Sequence, residues 1–202
     1  MIEGLRSDVQ TAQMDTSAIA ATTPPIPRLT GERISLRPYR DDDADALFAL
    51  YGDPEVTRWW SHEPWTDKQQ VVAYFERMRR DRESSEFYPW AIASNANDGL
   101  IGTVALYDID RTHRRGMIGY SLSPSAQGHG YAREALRLMI GFAWTSLDLH
   151  RLEADTDPEN VPSRRLLENL GFVIEGTMRK RWFVHGAWHD TSWYGLLRED
   201  FR

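Results

Sequence analysis

The chain has 202 residues, of which 41% are hydrophobic, 11% aromatic and 27% charged, a composition typical of one soluble globular domain with or without an extension. The absence of cysteine excludes disulfides, thiolate-bound metals and a cysteine nucleophile, and it favours a cytoplasmic location. A formal net charge of −6 argues against a broad basic face for nucleic acid, and no apolar run is long enough to span a membrane, so we expect neither partner.

The first 27 residues differ in composition from the rest of the chain. The small, polar segment Thr16–Thr23 is followed by three prolines, and no apolar run of signal-peptide length precedes it. Such a composition buries little apolar surface, so we predict a flexible extension over residues 1–27 and a globular domain over residues 28–202. Met14 is a candidate for the true initiator within the extension.

The first half of the domain predicts two main helices within a run of strands. Alternating apolar and polar residues over Arg33–Arg37 indicate a half-buried strand. Asp41–Asp43 can cap a first helix, and Thr66 with Gln69 has the spacing of a capping box before a second. An aromatic loop, Trp59–Trp65, joins the two helices. An antiparallel meander of three strands is predicted next, over Phe87–Ala93, Leu100–Asp108 and Gly116–Leu122.

The second half alternates helices with strands. Periodicity predicts a helix over Tyr131–Ser146 and a strand over Arg151–Thr156. Asn160 can cap a further helix, after which a closing hairpin is predicted from Gly176 with Gly186 in its turn. These elements together indicate a mixed α/β sheet with one strand–helix–strand unit in its middle.

A glycine-rich segment lies between the strand that ends at Leu122 and the helix that begins near Tyr131. Gly128 and Gly130 permit a tight turn and a close approach of the backbone to a ligand. The helix start adds unpaired N–H groups and a positive dipole end, so the segment can bind a diphosphate without a basic side chain. The same glycines could also serve only to shape the turn. A dinucleotide fingerprint would require glycine at Arg133, and no Walker motif is present.

The segment Gln127–Ala132, with the strand before it and the helix after it, resembles the acetyl-CoA-binding motif of the GNAT superfamily of N-acetyltransferases. Later segments resemble the branch that acetylates the amino termini of ribosomal proteins, the RimJ/RimL-like branch: Arg151–Ala154, Asp157–Asn160 with Ser163, and Leu166–Phe172. The resemblance extends over about residues 29–201. It implies the GNAT fold, a mixed α+β arrangement with a mostly antiparallel, twisted central sheet of about seven strands and about four flanking helices.

The same resemblance implies an enzyme that uses acetyl-CoA as co-substrate and needs no metal. In the family, the acetyl group passes directly from the thioester to a primary amine in a ternary complex, and a backbone N–H, here near Leu122 or Ser123, binds the oxyanion. Asn160 would hold the pantetheine arm and Ser163 would protonate the leaving thiolate, although both residues are also suited simply to cap their helix. The residues implied to contact acetyl-CoA are Leu122, Ser123, Gln127, Gly128, His129, Gly130, Tyr131, Ala132 and Asn160.

The general base is left open by the sequence. An amine with a pKa of about 10 must lose a proton before it attacks, which requires a carboxylate, a histidine or a water path. Relatives in this branch have a glutamate at a position that falls near Trp182, so the chain departs from the pattern there. Glu153, Asp155 and Asp108 are candidate replacements, and transfer of the proton through water is our default expectation.

Tryptophans mark the expected acceptor site. In the family, the segment between the first two helices forms a wall of this site, and here it contains Trp59 and Trp60. Packing in the core is the alternative role for these large side chains. We expect the acceptor, a peptide amino terminus or a small amine, to contact Trp59, Trp60, Trp90 and Tyr120.

Other function classes are less well matched. His185 and His189 lie four residues apart, but strand-like surroundings and the lack of a third ligand argue against a metal site. A catalytically silent module that binds acyl-CoA is the alternative from a different class. The sequence is equally compatible with a monomer and a homodimer.

Overall fold

The computed structural model describes residues 25–83 and 87–201. Of the predicted extension, residues 1–27, residues 1–24 lie outside the described ranges. Its last residues are described: Ile26 packs against the main core, and the Pro27 carbonyl accepts a hydrogen bond of 2.8 Å from Trp90 Nε1. The elements are β1 (Leu29–Thr30), β2 (Ile34–Arg37), α1 (Ala44–Gly52), α2 (Pro54–Thr57), α3 (Gln69–Glu83), β3 (Tyr88–Ser94), β4 (Leu100–Asp110), β5 (Arg115–Leu122), α4 (Tyr131–Thr145), β6 (Arg151–Thr156), α5 (Val161–Asn169), β7 (Val173–Val184) and β8 (Ala187–Leu197).

The strands form one sheet in the order β1-β2-β3-β4-β5-β6-β8-β7. All neighbouring strands are antiparallel except β5 and β6, which are parallel. The prediction of a mixed fold with a mostly antiparallel sheet is confirmed. The described residues contain eight strands because the two-residue strand β1 pairs with β2, and five α-helices because Pro54–Thr57 forms a helix of its own. Within the described ranges, no helix is long and apolar enough to cross a membrane.

The parallel pair in the middle of the sheet is short. It joins Arg115 to Arg151, Gly116 to Leu152 and Met117 to Glu153, whereas β5 runs on to Leu122 and β6 to Thr156. We call the region beyond the last of these residue pairs the strand gap. Because parallel strands point the same way, the gap lies at the carboxyl ends of both β5 and β6.

The main core lies between the sheet and α4. Helix α4 buries one face, including Leu136, Met139 and Ile140, against strands β2 to β5. Trp90 on β3 is fully buried in this core and packs on Phe142 of α4 with ring centroids 5.4 Å apart. The expectation that Trp90 contacts the acceptor is therefore wrong, because its indole is enclosed by core side chains and does not line the cavity described below.

A second, smaller core lies under α1, α2 and α3. Leu47, Leu50, Val56 and Val71 are buried there around Tyr51. Tyr51 donates its hydroxyl proton to Thr103 of β4 over 3.3 Å, which connects this helical segment to the sheet. Side chains alternate between the two faces of a strand. Thr103, under the second core, and Val104, in the main core, therefore point to opposite faces of the sheet.

The capping box before α3 is displaced by one residue from its predicted place. Gln70 Oε1 accepts hydrogen bonds from the backbone N–H groups of Thr66 and Asp67, and Asp67 Oδ1 accepts one from Gln69 N, over 2.8–2.9 Å. Gln70 therefore takes the place predicted for Gln69, and Asp67 accepts from Gln69 N in the place predicted for Thr66. These bonds satisfy N–H groups at the start of α3.

A buried ion pair joins β2 to the start of α1. Arg37 Nη1 and Nη2 bind the two carboxylate oxygens of Asp43 over 2.7 and 2.8 Å, and the two side chains are 3% and 5% exposed. The hydrogen bonds that Arg37 donates to Asp43 are the main cause that raises the pKa of Arg37. The Asp98 carbonyl accepts a further hydrogen bond of 2.9 Å from Arg37, so one guanidinium ties the helical segment to the β3–β4 turn.

Candidate active site

An open cavity of about 1220 Å³ extends from the strand gap to α3. One wall comes from α3 and the loop before it, and the other from β4, β5, β6, β8 and the start of α5. Trp59, Trp60, Tyr120, Asn160 and Ser163, all predicted from the sequence, line this cavity together. The cavity therefore brings the expected acceptor wall and the expected proton donor to one place.

The expected proton donor has a partner that the sequence did not reveal. Tyr120 on β5 and Ser163 on α5 share a hydrogen bond of 2.8 Å between their hydroxyl oxygens. Burial raises the pKa of Tyr120 to about 12 although the bond to Ser163 acts in the opposite direction, so its phenol stays protonated at neutral pH. The contact joins β5 to α5, and it places the protonated phenol of Tyr120 within hydrogen-bond distance of the Ser163 hydroxyl.

Asn160 forms the start of α5. Its side-chain oxygen accepts a hydrogen bond of 3.2 Å from Ser163 N, which makes it the N-cap of this helix. The helix-capping role considered for Asn160 is thus present in the structure. Its amide nitrogen takes no part in that bond, so the residue can act as a cap and also offer a donor to a ligand in the cavity.

The main-chain geometry of β5 selects the oxyanion donor. Ser123 N donates to the Ile101 carbonyl over 2.9 Å, so its N–H is occupied. In an antiparallel pair, hydrogen-bonded and non-hydrogen-bonded residues alternate, so Leu122, opposite Gly102, directs its N–H away from β4 and towards β6. The pairing with β6 has already ended there, and the Leu122 amide faces the strand gap. Of the two expected donors, Ser123 is therefore ruled out and Leu122 remains.

The glycine-rich loop has the backbone shape that the sequence implies. Gly128 and Gly130 both have φ of +78°, a left-handed conformation that suits glycine. Gln127, Gly128, His129 and Gly130 are exposed, and Tyr131 and Ala132 are half-buried at the first turn of α4. Within the described residues, these positions lie outside the cavity lining, at the start of the helix that follows the gap. Gln127 N donates to the Pro124 carbonyl over 3.2 Å, whereas the N–H groups at the start of α4 have no partner within the helix and lie beside the carboxyl end of β5.

Arg33 supports this loop and was missed as a site residue. Its guanidinium donates to the His129 carbonyl over 2.8 Å, pairs with Glu134 over 3.0 Å and lies 5.3 Å from the Tyr131 ring centre. Although burial alone would raise it, the pKa of Glu134 is lowered, because hydrogen bonds from Arg33 favour the carboxylate. Arg33 comes from the alternating segment predicted as a strand, and alternation gave no reason to place it against a loop about a hundred residues later.

Replacing Gly130 by valine is expected to remove binding of acetyl-CoA while the protein stays folded. A β-branched residue at φ +78° is strained whatever space surrounds it, so the loop must change its backbone conformation. Acetyl-CoA at 100 times its Kd should stabilise the wild type by about 2.7 kcal/mol in thermal unfolding. The variant should show no such shift, whereas Gly141→Val, in open space on α4, should keep it. An unchanged shift in Gly130→Val would contradict the role of the loop.

Two of the three candidate bases lie elsewhere. Glu153 is nearly buried and pairs with Arg151 over 2.8 Å and with Arg115 over 3.4 Å, at the end of the parallel strand pair. Asp108 is exposed at a bulge in β4, with φ of +49°. Neither residue lines the cavity.

Asp155 is the candidate base that reaches the cavity. It lies on β6 past the last pair with β5, and its Oδ2 accepts a hydrogen bond of 3.2 Å from the Thr191 hydroxyl. Its carboxylate contributes to the raised pKa of Tyr107, which lines the same cavity. Asp155 and Tyr120 thus both lie past the last residue pair of β5 and β6 and line the same cavity.

A histidine–carboxylate pair lies on the same wall. His189 Nδ1 is 3.7 Å from Asp157 Oδ2, and His189 Nε2 is buried without a hydrogen-bond partner among the described residues. His189 is paired across the hairpin with Trp182, near which the glutamate of a branch relative is expected to fall. The sequence drew attention to His189 only as a metal ligand, because cross-strand register cannot be read from spacing. No cluster of metal-ligating side chains is found in the described part of the chain.

Tryptophans before α3 pack in the second core and also line the cavity. Trp60 and Trp65 pack edge-to-face on Tyr51 of the second core, with ring centroids 4.8 and 4.6 Å away, and both also line the cavity. The Arg58 guanidinium lies over the ring of Trp59, and its carbon is 4.6 Å from the centre of that ring. Trp60 and Trp65 therefore pack in a core and line the cavity at the same time.

With this geometry in place, comparison with known proteins identifies the class. Residues 33–173 match the family described as the acetyltransferase (GNAT) domain, and the chain belongs to that family. An uncharacterized N-acetyltransferase of Bacillus licheniformis, p20, is 34% identical over 170 residues, covering 84% of this chain and 96% of that protein. The protein is accordingly an N-acetyltransferase that uses acetyl-CoA.

Solved structures agree with the fold and the branch. Mycobacterium smegmatis RimJ in complex with CoA-disulfide is 27% identical with a TM-score of 0.75, covering 86% of this chain and 88% of that chain. Spermidine N-acetyltransferase of Vibrio cholerae in complex with CoA and spermine has a TM-score of 0.76 at 22% identity, covering 84% and 98%. The first match supports the RimJ/RimL-like resemblance, and the second shows a common fold.

Proposed function

We propose that the protein transfers the acetyl group directly from acetyl-CoA to a primary amine, on a peptide amino terminus or a small molecule, within a ternary complex. The observation that carries this proposal is the hydrogen-bonded pair of Tyr120 and Ser163 at the strand gap, with Asp155 across the same cavity. A module that only binds acyl-CoA would have no use for a part-buried hydroxyl pair and a carboxylate in one cavity.

The residues divide the steps between them. Asp155 accepts one proton of the substrate ammonium group through a water molecule, and the neutral amine nitrogen then bonds to the thioester carbonyl carbon, whose C=O electron pair moves to the oxygen. The nitrogen of this adduct loses its second proton to solvent through water before the carbon–sulfur bond breaks. The Leu122 N–H donates a hydrogen bond to the oxyanion that forms. As the carbon–sulfur bond breaks, Ser163 gives its proton to the sulfur and regains one from Tyr120, which is restored from solvent. The Gln127–Ala132 loop holds the diphosphate.

The function is tested with acetyl-CoA and a panel of amines, namely amino-terminal peptides, polyamines and amino acids. Free thiol and acetylated product are measured together, and we expect them to appear in equal amounts and only when an acceptor is present. Acetyl-CoA that stabilises the fold without thiol release by any amine would instead indicate the binding module.

Asp155→Asn is expected to lower kcat by about 100-fold, because the variant cannot take the amine proton. The exposed Asp108→Asn is the matched control and should leave kcat unchanged, since Asn also tolerates the left-handed backbone at that position. Both variants should bind acetyl-CoA like the wild type in a thermal-shift titration. Equal rates for Asp155→Asn and the wild type would remove Asp155 as the base.

A further inference from the structure

One face of α3 presents positive charge to the acceptor side of the cavity. Tyr74, Arg77 and Arg80 recur at spacings of three residues and line the cavity. Tyr74 adjoins the buried Val71 and Met78, three and four residues away, and Arg77 and Arg80 lead from this buried side round the helix. Burial of Val71 and Met78 fixes the rotation of α3. Arg77 and Arg80 therefore reach the cavity from a helix that is packed against the domain.

Two guanidinium groups of this wall, those of Arg58 and Arg77, lie over aromatic rings. Arg58 lies 4.6 Å from the ring centre of Trp59, and Arg77 lies 5.4 Å from that of Tyr74. Stacking on a ring face leaves the N–H groups in the guanidinium plane available. Within the described residues, Arg58, Arg77 and Arg80 make no ion pair with a carboxylate.

The opposite wall carries negative charge next to the proton donor. Asp155, Asp157 and Asp190 line the cavity there, from β6, the loop after it and β8. Glu63 lies in the loop before α3, but the backbone N–H and imidazole of His185 engage its carboxylate over 2.9 and 2.8 Å. The cavity thus has acidic groups where an amine must be bound and free guanidinium groups at its other side.

Building on the proposed function, we propose that the acceptor is a primary amine that also carries carboxylate groups, and that the wall of Arg58, Arg77 and Arg80 binds those carboxylates. The ammonium end is attracted to the aspartate wall, and the carboxylates are bound by the guanidinium forks, which match their geometry. An amino-terminal peptide with acidic side chains near its start and a small amino-carboxylate share this chemistry. A polyamine has only positive charges, so the same wall repels it.

The test compares three hexapeptides with a free amino terminus that differ only at positions three and four, which are two aspartates, two asparagines or two lysines. Spermidine and 4-aminobutyrate are the small-molecule arms, and 4-aminobutyrate tells a small acceptor from a peptide. Peptide binding in the presence of CoA is measured by calorimetry, separately from acetyl transfer. We expect the aspartate peptide to have a kcat/KM at least about tenfold above the asparagine peptide, mainly through KM, and spermidine to be the poorest acceptor.

The double variant Arg77→Gln/Arg80→Gln should lose this preference, whereas Arg79→Gln, on the same helix but outside the cavity, should keep it. Equal binding of the aspartate and asparagine peptides, a preference for spermidine, or a preference that survives in the double variant would overturn the inference. Arginine-dependent binding of the aspartate peptide without any acetyl transfer would support the inference and refute the proposed function instead.

Discussion

Replacing Ser163 by alanine should lower kcat about 100-fold and leave the affinity for acetyl-CoA within about twofold of the wild type. Without the hydroxyl, the thiolate must leave unprotonated, while the groups that hold the diphosphate are untouched. Tyr120→Phe should show a smaller loss, because Ser163 keeps its own proton but loses the phenol behind it. Steady-state rates with a saturating amine measure both effects.

Ser146→Ala, at the exposed end of α4, is the control for the serine substitution and should behave like the wild type. An unchanged kcat in Ser163→Ala would assign Ser163 to the helix start alone, as the capping role requires. A loss of acetyl-CoA affinity equal to the loss of kcat would point to a binding role in place of proton donation.

Arg37→Ala should reduce the free energy of unfolding by about 3–5 kcal/mol, the usual result of removing one partner from a buried ion pair. Asp43 would be left 5% exposed with no cation, and the helical segment would lose its tie to the β3–β4 turn. Urea unfolding followed by tryptophan fluorescence measures the change. Arg40→Ala, which removes a half-exposed pair with Asp98, should cost no more than about 1 kcal/mol.

A loss below about 1 kcal/mol in Arg37→Ala would mean that water reaches Asp43 once the guanidinium is gone. Asp43→Asn separates the two explanations, because it removes the charge and keeps the shape. If the ion pair stabilises the fold as described, that variant should also be destabilised.

The periodic elements were predictable because their patterns are local. The bounds of Tyr131–Thr145 and Arg151–Thr156 follow from apolar residues three to four and two positions apart. The prediction that Trp90 contacts the acceptor is wrong because a large aromatic residue in a strand suits a core as well as a binding wall. Burial on both faces of β3 decides the matter, and burial depends on the helices that cover the sheet.

The candidate site depends on pairings between distant segments, so the sequence indicated its members but not their geometry. Glu153 and Asp155 lie on the same face of β6 by alternation, and nothing in the sequence shows that pairing with β5 ends between them. The hydrogen bond between Tyr120 and Ser163 likewise joins a strand to a helix through residues that are 43 positions apart. The motif for acetyl-CoA was readable because all its parts are contiguous in the chain.

The order of the strands places the acetyl-CoA loop and the acceptor wall in different insertions of the sheet. Two parallel neighbours need a crossover, so the segment between β5 and β6, with the Gln127–Ala132 loop, is a topological necessity of this sheet. Strands β2 and β3 are antiparallel neighbours that a tight turn could join, yet the chain inserts residues 38–87 between them, and this insertion builds the tryptophan and arginine wall. The acceptor wall can therefore diverge without disturbing the sheet or the donor site, and new amine specificities can arise by rewriting this one insertion.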